Sequence, residues 1–115
     1  MSGAQGGGAG RNAAVSTPCS VQQIKFDCIS YIKEFGVDAG QWVGGTCAVP
    51  RETLFRMHAI DPARDPWLWK PAMSTVAASS VAQFLHGRLG VRQGTGANVM
   101  EGRFVFLYRK CRIQP

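Results

Sequence analysis

At 115 residues the chain has room for one domain, and 45% of its residues are hydrophobic, enough to build a core. The opening stretch MSGAQGGGAGRNAAVSTP is too rich in Gly, Ala and Ser to contribute to that core, so residues 1–18 read as a flexible tail and 19–115 as the folded unit. A unit of that size buries roughly 60–68% of its unfolded surface and needs no staple to fold. No basic stretch leads into an apolar leader, and the longest apolar runs, such as Phe104–Tyr108, fall far short of the roughly 20 residues that span a bilayer. The expectation is a soluble, cytoplasmic chain without a membrane partner.

Cys19, Cys28, Cys47 and Cys111 are widely spaced, with no Cys-x-x-Cys pair and no His at ligand spacing. Reduced, mostly buried thiols are expected, with no metal site and no cofactor. Charge is distributed unevenly. Six basic and six acidic residues lie between Met1 and Asp65. Beyond that point Lys70, Arg88, Arg92, Arg103, Arg109, Lys110 and Arg112 face a single acid, Glu101, so the formal charge of +6 belongs to the second half. Such asymmetry points that half towards a polyanionic or acidic partner.

Ser20-Val-Gln-Gln23 has the form of a capping box, and Val21, Ile24, Cys28, Ile32 and Phe35 follow at helical spacing up to Gly36, which suits the left-handed residue that closes a helix. Trp42–Val49 reads as a short strand, in which Gly44 and Gly45 mark a bulge or a close approach of another backbone or a ligand. Pro50 and Glu52 suit a first helical turn, predicting a short helix over Pro50–His58 that carries Leu54 and Phe55 inward, with Met57 or His58 beside them, and stops at Asp61-Pro62. Trp67–Lys70 predicts a second strand with both indoles on one side and a limit at Pro71. Ser74 or Thr75 caps a third helix with Ala78, Val81, Phe84, Leu85 and Leu89 at core spacing.

The glycine-rich run LGVRQGTGANVMEG reads as a loop. Arg103–Arg109 is the clearest strand, apolar on both alternating faces, and belongs in the middle of a sheet. The expected fold class is α+β: a small three-stranded sheet with helices packed on it, in the order α-β-α-β-α-β.

No Gly-x-Ser-x-Gly elbow, phosphate-loop lysine or His-Glu-x-x-His signature is present, and the glycines at 90, 94 and 96 follow a helix rather than opening one. His58 and His86 stand alone in their neighbourhoods and read as structural or surface residues.

One constellation resembles a known family. The segment WVGGTCAVPRETLFRMH (Trp42–His58), a strand with Val-Gly-Gly followed by a Pro-started helix bearing Arg and His, is similar to the second half of the GIY-YIG nuclease core. The order continues through a Trp-containing strand, a helix, a Gly-rich loop and the final strand FVFLYRK, covering roughly residues 24 to 110. The resemblance implies a Tyr beside Gly44 or Gly45, where this chain has Trp42 or Val43. It implies an essential Arg where Thr53 or Leu54 stands, with Arg51 and Arg56 as the only substitutes. It also implies a metal-binding Glu on the helix STVAASSVAQFLHGR, which has no carboxylate and offers Gln83 instead, a poor Mg²⁺ ligand.

The leading expectation is therefore a catalytically inactive GIY-YIG-like domain that binds nucleic acid, duplex DNA first among candidates, through Arg88, Arg92, Arg103, Arg109, Lys110 and Arg112. Neutralising about four to six phosphates would give a log–log salt slope near −4 to −5. A second expectation is a phage or mobile-element protein-interaction module that inhibits or recruits a host nucleic-acid-processing complex, with its three Trp as interface anchors. A third is a divergent metal-dependent nuclease using Arg51, Glu52, Arg56 and His58.

Overall fold

The computed structural model describes residues 17–36, 38–93 and 102–110. Of the expected tail, only residues 17 and 18 fall within this set, and Cys111 and Arg112 lie outside it.

Helix α1 spans Val21–Phe35. Ser20 Oγ accepts the Gln23 N–H at 3.1 Å, and Gly36, at φ 62°, returns its N–H to the Lys33 carbonyl at 3.1 Å. Only half of the capping box forms, because the Gln23 side chain donates to Asp27 at 2.8 Å instead. The expected stripe is buried at Ile24, Cys28 and Ile32.

Four strands follow: β1 (Val43–Cys47), β2 (Trp67–Pro71), β3 (Arg92–Gln93) and β4 (Phe104–Tyr108), in the spatial order β2-β4-β1-β3. The sheet is mixed, with β4 antiparallel to both β1 and β2 and β3 parallel to β1. This corrects the expectation of three strands. The added strand is built from Arg92 and Gln93, inside the run read as a loop; the pairing is a backbone one, with the Arg92 N–H donating to the Trp42 carbonyl at 2.9 Å. Two exposed polar residues carry no strand signal of their own. Residues 94–101 of the same run lie outside the described set.

The doubly apolar β4 occupies the interior position expected of it, and its alternation divides the core. Val105 and Leu107 face one layer, where α1, α2 (Thr75–Phe84, capped by Ser74) and the turn that continues α2 bring Ile24, Cys28, Ile32, Ala78, Val81 and Leu85 to Trp42 and Leu68. Phe106 and Tyr108 face a second layer with Cys47, Trp67, Trp69, Leu54 and Ile60. The indoles of Trp67 and Trp69 share that side as expected, stacked at 4.9 Å. On the helical side, Lys70 pairs with Asp27 at 3.4 Å and ties β2 to α1. Each large apolar side chain so buried contributes about 1.5–3 kcal/mol.

Gly44 is explained by close approach rather than by a bulge. The pairing of Val43–Cys47 with β4 runs unbroken, and a Cβ on Gly44 would lie 2.9 Å from the Phe106 carbonyl oxygen and 3.3–3.4 Å from Val91 and Leu85.

The segment after Pro50 departs from the regular helix expected. Over Glu52–Met57 the turn widens, and the His58 N–H reaches back five residues to the Thr53 carbonyl at 2.9 Å. It ends before Asp61-Pro62, at Ala59 with φ 53°. Leu54 is fully buried and Phe55 packs its ring edge-on to Trp67 at 5.0 Å, while the side chain of Met57 lies outside the described set. A second widened turn, Leu85–Leu89, continues α2 and closes at Gly90 with φ 86°.

Cys19, Cys28 and Cys47 are free thiols. Burial pushes Cys28 up to about 12 and Cys47 up to about 11, so both are protonated, inert core residues at neutral pH. Among the described residues, no helix is long and apolar enough to cross a membrane.

Candidate functional site

The register of the sheet determines what is displayed at its end. Trp67 pairs with Tyr108, Tyr108 with Val43, and Val43 with Arg92, so these four residues form one row across the sheet. Residues paired side by side point to the same face. The row therefore presents a phenol, an isopropyl group and a guanidinium in sequence, with the α-carbons of Tyr108 and Arg92 about 10 Å apart across two strand spacings.

The widened turn brings His58 onto this row. Its Nδ1 and the Tyr108 Oη share a 2.5 Å hydrogen bond, and its ring packs against Tyr108 at 5.1 Å and Phe106 at 5.7 Å. Around the pair lies a cleft of about 380 Å³ lined by Gln41, Val43, His58, Arg92, Gln93, Tyr108 and Lys110. It holds two cations, two amides, an imidazole and a phenol, and no carboxylate among the described residues.

Desolvation sets the protonation of the pair. Burial lowers the pKa of His58, and the Lys110 ammonium lowers it further. Burial raises that of Tyr108, opposed by the Arg92 guanidinium. Both shifts favour the neutral imidazole and the neutral phenol.

With the folded-state pKa of His58 below its usual 6.5, the unfolded chain binds more protons between the two values. The stabilisation is complete above about pH 6.5 and is lost as pH falls through the folded value. The groups facing the ring are Tyr108, Lys110 and Arg92. Thermal melts between about pH 7.5 and about pH 5.5 should show a smaller loss of Tm for His58→Gln than for the parent chain.

The sequence-predicted cations are not gathered in one place. Arg92 and Lys110 line the cleft. Arg88 is exposed on the turn that leads to β3, outside the cleft lining. Arg103 precedes the opposite end of β4, seven residues from Lys110, or about 24 Å along extended chain. Arg109 is directed to the other face: its guanidinium lies 5.8 Å from the rings of both Phe35 and Trp42, and its Nε is buried without a partner among the described residues. Arg112 lies outside the described set.

Of the set Arg51, Glu52, Arg56 and His58, only His58 reaches the cleft; Glu52 and Arg56 pair with each other at 3.7 Å on the surface and Arg51 is exposed. The reading of His58 as solitary is corrected by its bond to Tyr108. His86 is the structural one, with Nε2 3.0 Å from the Gly44 carbonyl oxygen. No group of three or more His, Cys, Asp or Glu among the described residues is arranged to hold a metal ion.

Tyr108, Gln41, Val43 and Gln93 were missed as site residues. The phenol of Tyr108 stands on β4, directly across from Val43 on β1. The signal for it was a single hydroxyl at the end of an otherwise apolar strand, since a buried Tyr requires a hydrogen-bond partner. No family model, no curated protein and no solved structure matches the chain.

Proposed function

We propose that the chain is a nucleic-acid-binding domain whose cleft receives a backbone phosphate between Arg92 and Lys110. The observation that carries this reading is the convergence of those two cations on the His58–Tyr108 pair, in a cleft without a carboxylate among its described lining residues. Glu52, on the widened turn that carries His58, is paired with Arg56 on the surface. A phosphodiester offers what such a site lacks: a delocalised anion with several acceptor oxygens, recognised by charge and by the amides of Gln41 and Gln93. Kinship with GIY-YIG nucleases, taken as a proposal, would place the phenol of Tyr108 where the β1 tyrosine is missing.

The protein-interaction reading loses the anchors on which it rested. Trp42, Trp67 and Trp69 are all core residues, with exposures of 0%, 8% and 9%. Indoles that hold the two layers together are not available as surface hot spots.

The geometry also lowers the number of phosphates engaged. With Arg103 remote and Arg109 turned to the other face, Arg88, Arg92 and Lys110 remain among the described residues, and their roughly three contacts predict a log–log salt slope of about −2 to −3. Fluorescence anisotropy of labelled single-stranded and duplex oligonucleotides across a salt series measures it. A slope of zero, or no binding at low salt, overturns the reading.

A further inference from the structure

The site contains more than phosphate binding requires. Arg92 and Lys110 suffice to hold an anion, yet between them stands a hydrogen-bonded imidazole–phenol pair, partly desolvated and open to the cleft. A purely electrostatic platform has no use for two coupled proton-transfer groups. From this arrangement we infer that the cleft is a phosphodiester-transfer site for RNA, in which His58 and Tyr108 move the protons while the strand's own 2′-hydroxyl attacks phosphorus. The inference rests on the reading that the cleft accepts a nucleic-acid phosphate.

The choice of RNA follows from the groups present. Hydrolysis by water requires the nucleophile to be recruited and held, which carboxylate-bound metal ions commonly achieve; the described lining of this cleft supplies no carboxylate. A 2′-hydroxyl is already tethered next to its phosphorus, and such intramolecular nucleophiles gain effective molarities on the order of 10⁵ M or more. What remains is to move a proton and to stabilise the charge developing on the phosphoryl oxygens. His58 and Tyr108 suit the first task and Arg92 and Lys110 the second.

In the tautomer that the step uses, the phenol donates to Nδ1 of His58 and the ring carries its own proton on Nε2. The bond from the 2′-oxygen to phosphorus forms as the bond from phosphorus to the 5′-oxygen breaks. The 2′-proton passes to Tyr108 Oη while the phenol delivers its proton to His58 Nδ1. The imidazolium so formed releases its Nε2 proton to the departing 5′-oxygen. One proton leaves the 2′-hydroxyl and one reaches the new 5′-hydroxyl; the ring, left with its proton on Nδ1, returns to the starting tautomer by proton exchange with solvent, and no redox partner enters the balance. The products are a 2′,3′-cyclic phosphate and a 5′-hydroxyl end.

The test uses the full chain with a labelled single-stranded RNA of mixed sequence and its all-2′-deoxy counterpart, in excess EDTA. Anisotropy reports binding and gel electrophoresis reports cleavage. The expected result is that both strands bind, only the RNA is cut, and mass spectrometry finds 2′,3′-cyclic phosphate ends. Tyr108→Phe should lower the cleavage rate at least about a hundredfold with anisotropy binding retained. Far-UV circular dichroism confirms that this variant folds.

RNA that binds and stays intact overturns the inference and leaves the binding reading standing. Equal cleavage of the deoxy strand, or cleavage only when Mg²⁺ is restored, overturns it as well. Failure of both strands to bind at low salt removes the binding reading and the inference together.

Discussion

Gly102→Ala is expected to destabilise the fold by at least about 3 kcal/mol, at or beyond the upper end of ordinary overpacking. Gly102 is buried at the entry to β4, and a Cβ placed on it would run into the Cys47 carbonyl group and the Ala48 nitrogen. All three are backbone atoms at the end of β1, so no rotamer change relieves the clash. Either β4 shifts out of register with β1 or the two strands separate, and both outcomes disturb the central pairing on which the two core layers rest. Gly87→Ala is the matched control. It has no neighbour within 4 Å and no positive φ, and in a helical turn the substitution should stabilise by roughly 0.5–1 kcal/mol. Urea unfolding midpoints of the two variants should move in opposite directions.

The second large effect concerns binding. Arg92→Ala combined with Lys110→Ala should weaken nucleic-acid affinity about a hundredfold at low salt, since two charge-assisted phosphate contacts of ~1.5 kcal/mol each are removed. The salt slope should become shallower by about 2. Both side chains are exposed, and neither forms an ion pair among the described residues, so the melting temperature should stay close to that of the parent chain. Arg103→Ala provides the contrast. It lies at the far end of β4 and should leave affinity within about twofold.

These two predictions draw on information of different legibility. Elements written in local chemistry were readable: the Ser20 cap and Gly36 close of α1, the indole pair of β2, and the double apolar pattern that places β4 inside the sheet. The Gly44-Gly45 doublet was legible only as a bulge or a close approach, and Gly44 proved to be the second, through contact with another strand's backbone.

The candidate site was much less readable, because nothing local builds it. Arg92 enters it through parallel pairing of a two-residue strand, and His58 through a turn one residue wider than a regular helix allows. Tyr108 looked like one more aromatic residue in a core strand. Charge counting pointed to the second half of the chain but could not separate Arg109, packed against Phe35 and Trp42, from Lys110 one residue later in the cleft. Strand alternation was the relevant physics there, and composition does not contain it.

Nucleic acid is proposed to enter at the His58–Tyr108 end of the sheet. The most direct measurement is an NMR titration of the labelled protein with a short 2′-deoxy strand. The expected result is that signals of His58, Tyr108, Arg92 and Gln93 move together and saturate at one stoichiometry, while those of Phe26 on α1 and Arg103 at the far end of β4 stay in place. Shifts centred on Arg103 or on the outer face of α1, with the His58 and Tyr108 ring signals unmoved, would contradict it.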